Sequence, residues 1–313
     1  MIGSGSATRW VPSSRWRQVR RLVVLALVLA VTGLVIPRAT VRNAPMSLVK
    51  ASTASGVGHS KNVIWILCLG SDARPGQRVT GTRADAIQLV GLNLKTHAAT
   101  DIGVPRDSWV HIAGHGMSKI NASMFYGGPQ LMADSVAHLV GIRPDYVFTA
   151  GFDAFRHMVH TIGGVTVYSP YAWSDPVRPQ GYHVGKNKLT AFQALIFARM
   201  RHALPHGDFD RSADQRRLLV GILKKVRGRL NEPGFFERSL YSVVKNLNTD
   251  LKPSELYQLA TALSSIEPRK FKGCVIQGST GYVGPQSVVF ANVGQAHRYA
   301  RDARNDATLN HGC

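Results

Sequence analysis

Residues 62–72 read NVIWILCLGSD, and their pattern sets the fold class. Val63 to Leu69 is apolar at every position, so the segment has no wet face. At this length that marks a strand buried on both sides, and Gly70-Ser71-Asp72 is the loop it delivers. Further along the chain, Asp85–Leu94, Thr100–Val104, Tyr146–Ala150 and Val165–Tyr168 read as strands too. Leu131–Val140, Phe152–Ile162, Thr190–His202 and Ser212–Leu230 are helical in pattern, and helical spacing returns at Phe235–Leu247 and Ser254–Ser265. Strands alternating with helices predict a three-layer α/β domain whose ligands gather where the strands end.

Upstream, the sequence changes character. Arg9, Arg15, Arg17, Arg20 and Arg21 precede an apolar run from Leu22 to Ile36 that only Thr32 and Gly33 interrupt, closed by Pro37 and Arg38. Basic residues ahead of an apolar stretch hold that side in the cytoplasm and send the downstream chain across the membrane. The run is shorter than the ~20 residues that span a bilayer comfortably, which keeps a cleaved signal peptide as the competing reading. No small-x-small cleavage pattern comes after it, which favours a retained anchor. The expected organisation is a cytoplasmic basic tail (1–21), a transmembrane signal-anchor helix (22–37), a flexible tether rich in Ala, Ser, Thr and Gly (38–60), and an extracytoplasmic domain with a C-terminal extension (61–313).

The 313 residues carry a formal charge of +20. Residues 1–59 hold eight Lys or Arg and no Asp or Glu, which leaves 30 bases against 18 acids, or +12, for the remainder. A basic body favours polyanions: nucleic acid, anionic lipid headgroups or phosphorylated polymers. Export weighs against nucleic acid. No P-loop, HExxH, CxxC pair or GxSxG elbow is present, which removes the commonest nucleotide, zinc and serine-hydrolase readings. Cys68 sits inside the apolar run and reads as a small buried hydrophobe. Cys274 and Cys313 share the C-terminal region, where an oxidising compartment permits a bridge, and we expect that disulfide.

Five short stretches place Arg and Asp at strand and helix ends: Gly70-Ser71-Asp72, Thr82-Arg83-Ala84-Asp85, Val104-Pro105-Arg106-Asp107, Lys119-Ile120-Asn121 with Gly127-Gly128, and the segment from Arg199 to Gln215. Singly, an Arg–Asp pair is more often an ordinary surface salt bridge. In combination and order, the stretches resemble the LytR-CpsA-Psr family of bacterial cell-envelope phosphotransferases. The resemblance covers about residues 62–225 and includes Gly163-Gly164-Val165 and the 145–155 segment; the single preceding membrane segment is also in keeping.

That resemblance implies an α/β/α sandwich with a central mixed sheet and an apolar cavity for a polyprenyl tail. It implies Mg²⁺-dependent transfer of a glycopolymer phosphate from a polyprenyl diphosphate carrier to peptidoglycan, at the outer face of the cell membrane. The expected partners are the polyprenyl diphosphate-linked glycopolymer, peptidoglycan and membrane lipid. Arg83, Arg106, Arg199, Arg201 and Arg211 match family positions that bind the two phosphates, and the planar guanidinium suits that role because it grips phosphate oxygens bidentately and stays charged. Lys119 adds a point charge. Asp72 and Asp85 match the Mg²⁺ ligands; magnesium takes one or two carboxylates plus phosphate oxygens and water. Asp208 either orients arginines or takes the acceptor hydroxyl's proton. Gln215, one turn beyond Arg211, is placed to reach a phosphate oxygen.

Two departures matter. Asp214 precedes Gln215 where the family often has Arg, and Asp210 stands where it often has Gly, so Asp208 and Asp210 can exchange roles. His202 and His206 read as solvated loop residues beside the basic segment. Phe125, Tyr126, Phe152, Phe155, Phe192, Leu195 and Phe197 are candidates for a lipid tunnel, although such faces are ordinarily core. Two other readings compete with the enzyme: a membrane-anchored transcriptional attenuator, against which the topology and the lack of a helix-turn-helix speak, and a non-catalytic binder of anionic envelope polymer.

Overall fold

The computed structural model describes residues 44–51, 62–74 and 76–313, all within the compact unit Val41–Cys313. The expected basic tail (1–21) and signal-anchor (22–37) lie outside the described residues. Among the described residues, no helix is long and apolar enough to cross a membrane.

In chain order the elements are β1 (Met46–Lys50), β2 (Val63–Ser71), β3 (Ala84–Asn93), β4 (Ala99–Gly103), β5 (Trp109–Ile112), β6 (Gly116–Lys119), α1 (Ala122–Val140), β7 (Tyr146–Ala150), α2 (Phe152–Thr161), β8 (Val165–Ser169), β9 (Trp173–Asp175), β10 (Arg178–Tyr182) and β11 (Gly185–Leu189). They continue with α3 (Ala191–Arg199), α4 (Asp208–Arg229), α5 (Phe235–Val244), β12 (Leu247–Thr249), α6 (Pro253–Ser265), β13 (Phe271–Val275), β14 (Gly278–Val283), β15 (Gln286–Ala291) and α7 (Val293–Ala303). Seven strands form the central sheet in the order β12-β1-β7-β2-β3-β4-β13. It is mixed: β2 runs parallel to β7 and antiparallel to β3, and β4 is parallel to β13.

The apolar run of β2 explains the layering. Trp65, Leu67 and Leu69 alternate with Ile66 and Cys68, so each set fills one side of the sheet. The first set packs with Met132 and Val136 of α1 and with Ala296 and Tyr299 of α7. The second packs with Leu219 and Leu223 of α4 and with Leu256 and Leu259 of α6. Helices therefore cover both faces, as the α/β/α expectation required. A second, smaller core gathers Val165, Val167, Trp173, Tyr182, Leu189, Ala194, Phe197 and Leu218. Helix α4 joins the two cores by presenting Leu218 to one and Leu219 and Leu223 to the other.

The tether expected over 38–60 needs correction. Residues 46–50 form β1 inside the sheet, antiparallel to β7 and parallel to β12, so the folded domain starts before residue 61. Helix α1 also begins nine residues ahead of the expected Leu131: it runs from Ala122 with a kink at Gly127-Gly128, where Gly128 adopts φ 65° and Pro129 comes next. A left-handed residue and a proline mask the helical pattern of the first turns. Cys274 and Cys313 are bonded, with Cα atoms 5.4 Å apart, which fastens the tail to β13. Cys68 is free, and burial pushes its thiol up to about 12, so it packs and does not react.

Candidate active site: a cationic cluster at one sheet edge

The site forms where β2 ends, β3 begins and β4 ends. Because β3 is antiparallel to both neighbours, these three termini share one edge. Backbone bonds fasten the loops there. Asp72 N–H donates to Arg83 O at 3.2 Å, Ala84 N–H to Asn121 O at 3.4 Å, and Asn121 N–H to Arg106 O at 3.2 Å. The pairing shifts register between Gly70↔Ala86 and Ser71↔Ala84, which leaves Asp85 as the extra residue of a bulge. A bulge re-aims the side chain it carries, and the Asp85 carboxylate accepts from Arg106 Nη1.

Arg106 and Asp107 come directly after β4. Asp107 stands among three cations: Lys119 Nζ is 3.2 Å from its Oδ1, and Arg106 Nε and Arg201 Nη1 lie 3.8 and 4.0 Å from its Oδ2. The sequence motif contains Asp107, but no role for it is legible there. The available signal is its position next to Arg106; the missing fact is that two distant segments bring Lys119 and Arg201 to the same carboxylate.

Helix α4 supplies the next pair, with Arg211 Nη2 donating to Asp208 Oδ1. Electrostatics join this pair to the Arg106 loop. Burial pushes the Asp208 carboxyl up, Arg211, Arg106 and Arg201 oppose that rise, and Asp107 reinforces it. Burial also lowers Arg211. Arg106 goes the other way: burial disfavours its charge, yet Asp85, Asp107 and Asp208 together outweigh that and hold it above its ordinary value. Its Nε remains buried without a hydrogen-bond partner.

Arg199 and Arg83, the two other expected phosphate-binding arginines, stand apart from these ion pairs. Arg199, the last residue of α3, stacks over the Phe152 ring at 4.5 Å from its centroid. Phe152 opens α2 directly after β7, which ends at the same edge as β2 because the two strands are parallel. Among the described residues, no carboxylate pairs with Arg199 or with the exposed Arg83.

Asp210 takes a separate part. It accepts from His206 N–H at 2.8 Å and from Tyr171 Oη at 3.3 Å, so it ties the loop before α4, while Asp208 faces the cations. His202 accepts from Arg201 Nε at 3.3 Å. Gln215 lies beneath the cluster: its amide nitrogen donates to Ala198 O at 3.2 Å and its oxygen accepts from Gln88 Nε2 at 3.1 Å. Gln88 also donates to Ser212 Oγ at 3.0 Å, so these residues lock α4 and the end of α3 to β3. The aromatic candidates for a tunnel scatter: Phe197 is fully buried in the smaller core, whereas Phe125, Tyr126 and Phe192 are exposed.

The donor set also fits a magnesium ion. Asp72 and Asp85 stand at adjoining strand ends; among the described residues, Asp72 has no ion-pair partner, and Asp85 has one oxygen engaged by Arg106. No group of three or more His, Cys, Asp or Glu gathers among the described residues. Two hard carboxylates that leave the remaining ligands to phosphate and water suit Mg²⁺ better than an all-protein cage does.

A model of the LytR_cpsA_psr family matches residues 31–304. The polyisoprenyl-teichoic acid–peptidoglycan teichoic acid transferase TagU of Bacillus subtilis is 36% identical over 223 residues, 69% of this chain and 70% of that protein. Among solved structures, B. subtilis TagV superposes with a TM-score of 0.65 at 25% identity, over 80% of this chain and all of that one. TagT bound to LI-WTA gives 0.64 at 25% identity, over 79% and 91% of the two chains.

Proposed function

The chain belongs to the LytR-CpsA-Psr family, and from that premise we propose that it transfers a glycopolymer phosphate from a polyprenyl diphosphate carrier to a hydroxyl of peptidoglycan. The observation that carries this reading is the convergence of Arg106, Lys119, Arg201 and Arg211 around Asp107 and Asp208 at one sheet edge. A diphosphate diester needs its charge held in place and further charge neutralised as the bridging oxygen departs. Preorganised cations do both without covalent chemistry.

In this reading Arg83 and Arg199, which pair with no carboxylate among the described residues, meet the incoming phosphates first. Arg106, Arg201 and Arg211 hold the phosphorus centre. The acceptor hydroxyl attacks the phosphorus bonded to the polymer, the bond to the bridging oxygen breaks, and the lipid leaves as its monophosphate. Asp208 takes the hydroxyl proton; burial raises its carboxyl, and a higher pKa makes a stronger base near neutral pH. Asp72 and Asp85 would hold Mg²⁺, which supplies charge neutralisation at the diphosphate oxygens. The domain works on the outer side of the cell membrane, tethered by residues 22–37.

The test is a transfer assay with a polyprenyl diphosphate-linked oligosaccharide and a peptidoglycan oligomer. Phosphodiester-linked product that requires Arg106 supports the reading. If the full chain binds donor and acceptor but releases no lipid monophosphate, it is a binder and not an enzyme.

A further inference from the structure

Away from the cluster, His160, the Gly163-Gly164 turn, Thr166, Lys188 and Lys225 line a recess of about 490 Å³, in the size range of small-ligand pockets. We propose that this recess is a second anion site, which holds a backbone phosphodiester of the polymer chain being transferred. The assignment rests on the transferase reading for the identity of the chain and on the recess itself for the chemistry.

Three observations carry it. Lys225 Nζ and Arg229 Nη1 lie 3.9 and 3.7 Å from the point where a Cβ on Gly163 would sit. Two like charges are therefore held beside one turn, with a third on Lys188 in the same wall. Arg229 is accounted for, since it donates to Ile162 O and to Glu232; among the described residues, neither Lys188 nor Lys225 has a carboxylate partner within ion-pair distance. Glu232 offsets Arg229 and is also felt by Lys225, which leaves more positive than negative charge around the turn, and a bound phosphate relieves the remaining repulsion. Second, Thr190 and Ala191 at the start of α3 belong to the wall, and a helix N-terminus adds to the attraction for an anion. Third, the turn leaves room: Gly163 and Gly164 adopt φ of 77° and 80°, where a side chain is disfavoured.

The placement suits a long substrate. Helix α3 runs its nine residues from this recess at Ala191 to Arg199 at the cationic cluster, a span of roughly 12 Å. A polymer whose first phosphate sits in the cluster reaches the recess with a later unit. Membrane docking is the less favoured occupant, because these cations line a concavity and not a projecting face.

The experiment titrates the full chain and its Lys188→Glu/Lys225→Glu variant with a soluble glycerol-phosphate oligomer, and in parallel with phosphatidylglycerol vesicles. We expect affinity for the oligomer to fall at least tenfold in the variant and to weaken with salt in the wild type. Vesicle binding should not change, and neither should cleavage of a short donor that carries one sugar. Lys188→Gln/Lys225→Gln, which removes the charges without reversing them, should give a smaller loss in the same direction. Unchanged oligomer affinity overturns the assignment, and so does a loss confined to vesicles. Failure of the transfer assay with lysine-dependent oligomer binding intact would count against the transferase alone.

Discussion

At the residue scale, Asp107 is the group whose removal tells most. It neutralises part of the charge of Arg106, Lys119 and Arg201, and without it those side chains repel and lose their common orientation. Asp107→Ala is expected to slow donor cleavage by about 100-fold, the scale on which misplaced catalytic groups cost activity, with near-normal melting. Equal rates for the variant and the wild type would mean that the three cations need no shared partner. A second residue-scale expectation concerns Asp101, which is fully buried in β4 with both carboxylate oxygens unpaired. Burial raises its carboxyl to about 8 from the ordinary value of 3.8, against the opposing charge of Arg216. The native state therefore keeps a proton that the unfolded chain has released, and stability falls as pH rises from about 4 to about 8, by at most about 1.4 kcal/mol per pH unit. Asp101→Asn should flatten the melting temperature across that range; a parallel decline in both proteins would show that Asp101 does not titrate there.

At the element scale, the arginines and aspartates were legible because short motifs at strand ends carry them, and the strand ending at Leu69 was legible from its dry run, although the structure extends it through Gly70 and Ser71, which had read as loop. Strand β1 was not. Met46–Lys50 lies in a stretch rich in small polar residues, and its partners β7 and β12 are about 100 and 200 residues away in sequence, so nothing local marks it. The part of Gln215 was hidden for the same reason: helical spacing put it on the face of Arg211, but Gln88 and Ala198 decide what its amide meets. Two elements offer tests of packing. A Cβ on Gly91 of β3 would come within 2.8 Å of the Trp65 ring, itself fully buried, so Gly91→Ala should cost about 1–3 kcal/mol through overpacking; an unchanged denaturation midpoint would show that the layer yields. The Cys274–Cys313 bridge closes a separation of 39 residues, and Cys274→Ser/Cys313→Ser should cost about 2–4 kcal/mol, read by chemical denaturation. A loss below that range would mean that Tyr299 and the rest of α7 already hold the tail.

At the scale of the whole molecule, two cores and one sheet edge cooperate. Helix α4 spans both cores and carries Asp208 and Arg211 at its start; Leu218 seats it in the smaller core, Ser212 and Gln215 bond it to Gln88 of β3, and the larger core fixes the strands that present Asp85 and Arg106. Contacts of Asp72 with Arg83, of Asp85 with Arg106 and of Asn121 with Arg106 then join successive stretches of the sequence into one site. The most direct measurement is calorimetric titration of the full chain with a short-chain prenyl diphosphate in the presence of Mg²⁺, compared with Arg106→Ala and Arg211→Ala. A single diphosphate site built by converging cations predicts one bound ligand per chain, weakened at least tenfold by either substitution. Undiminished binding in both variants would contradict it.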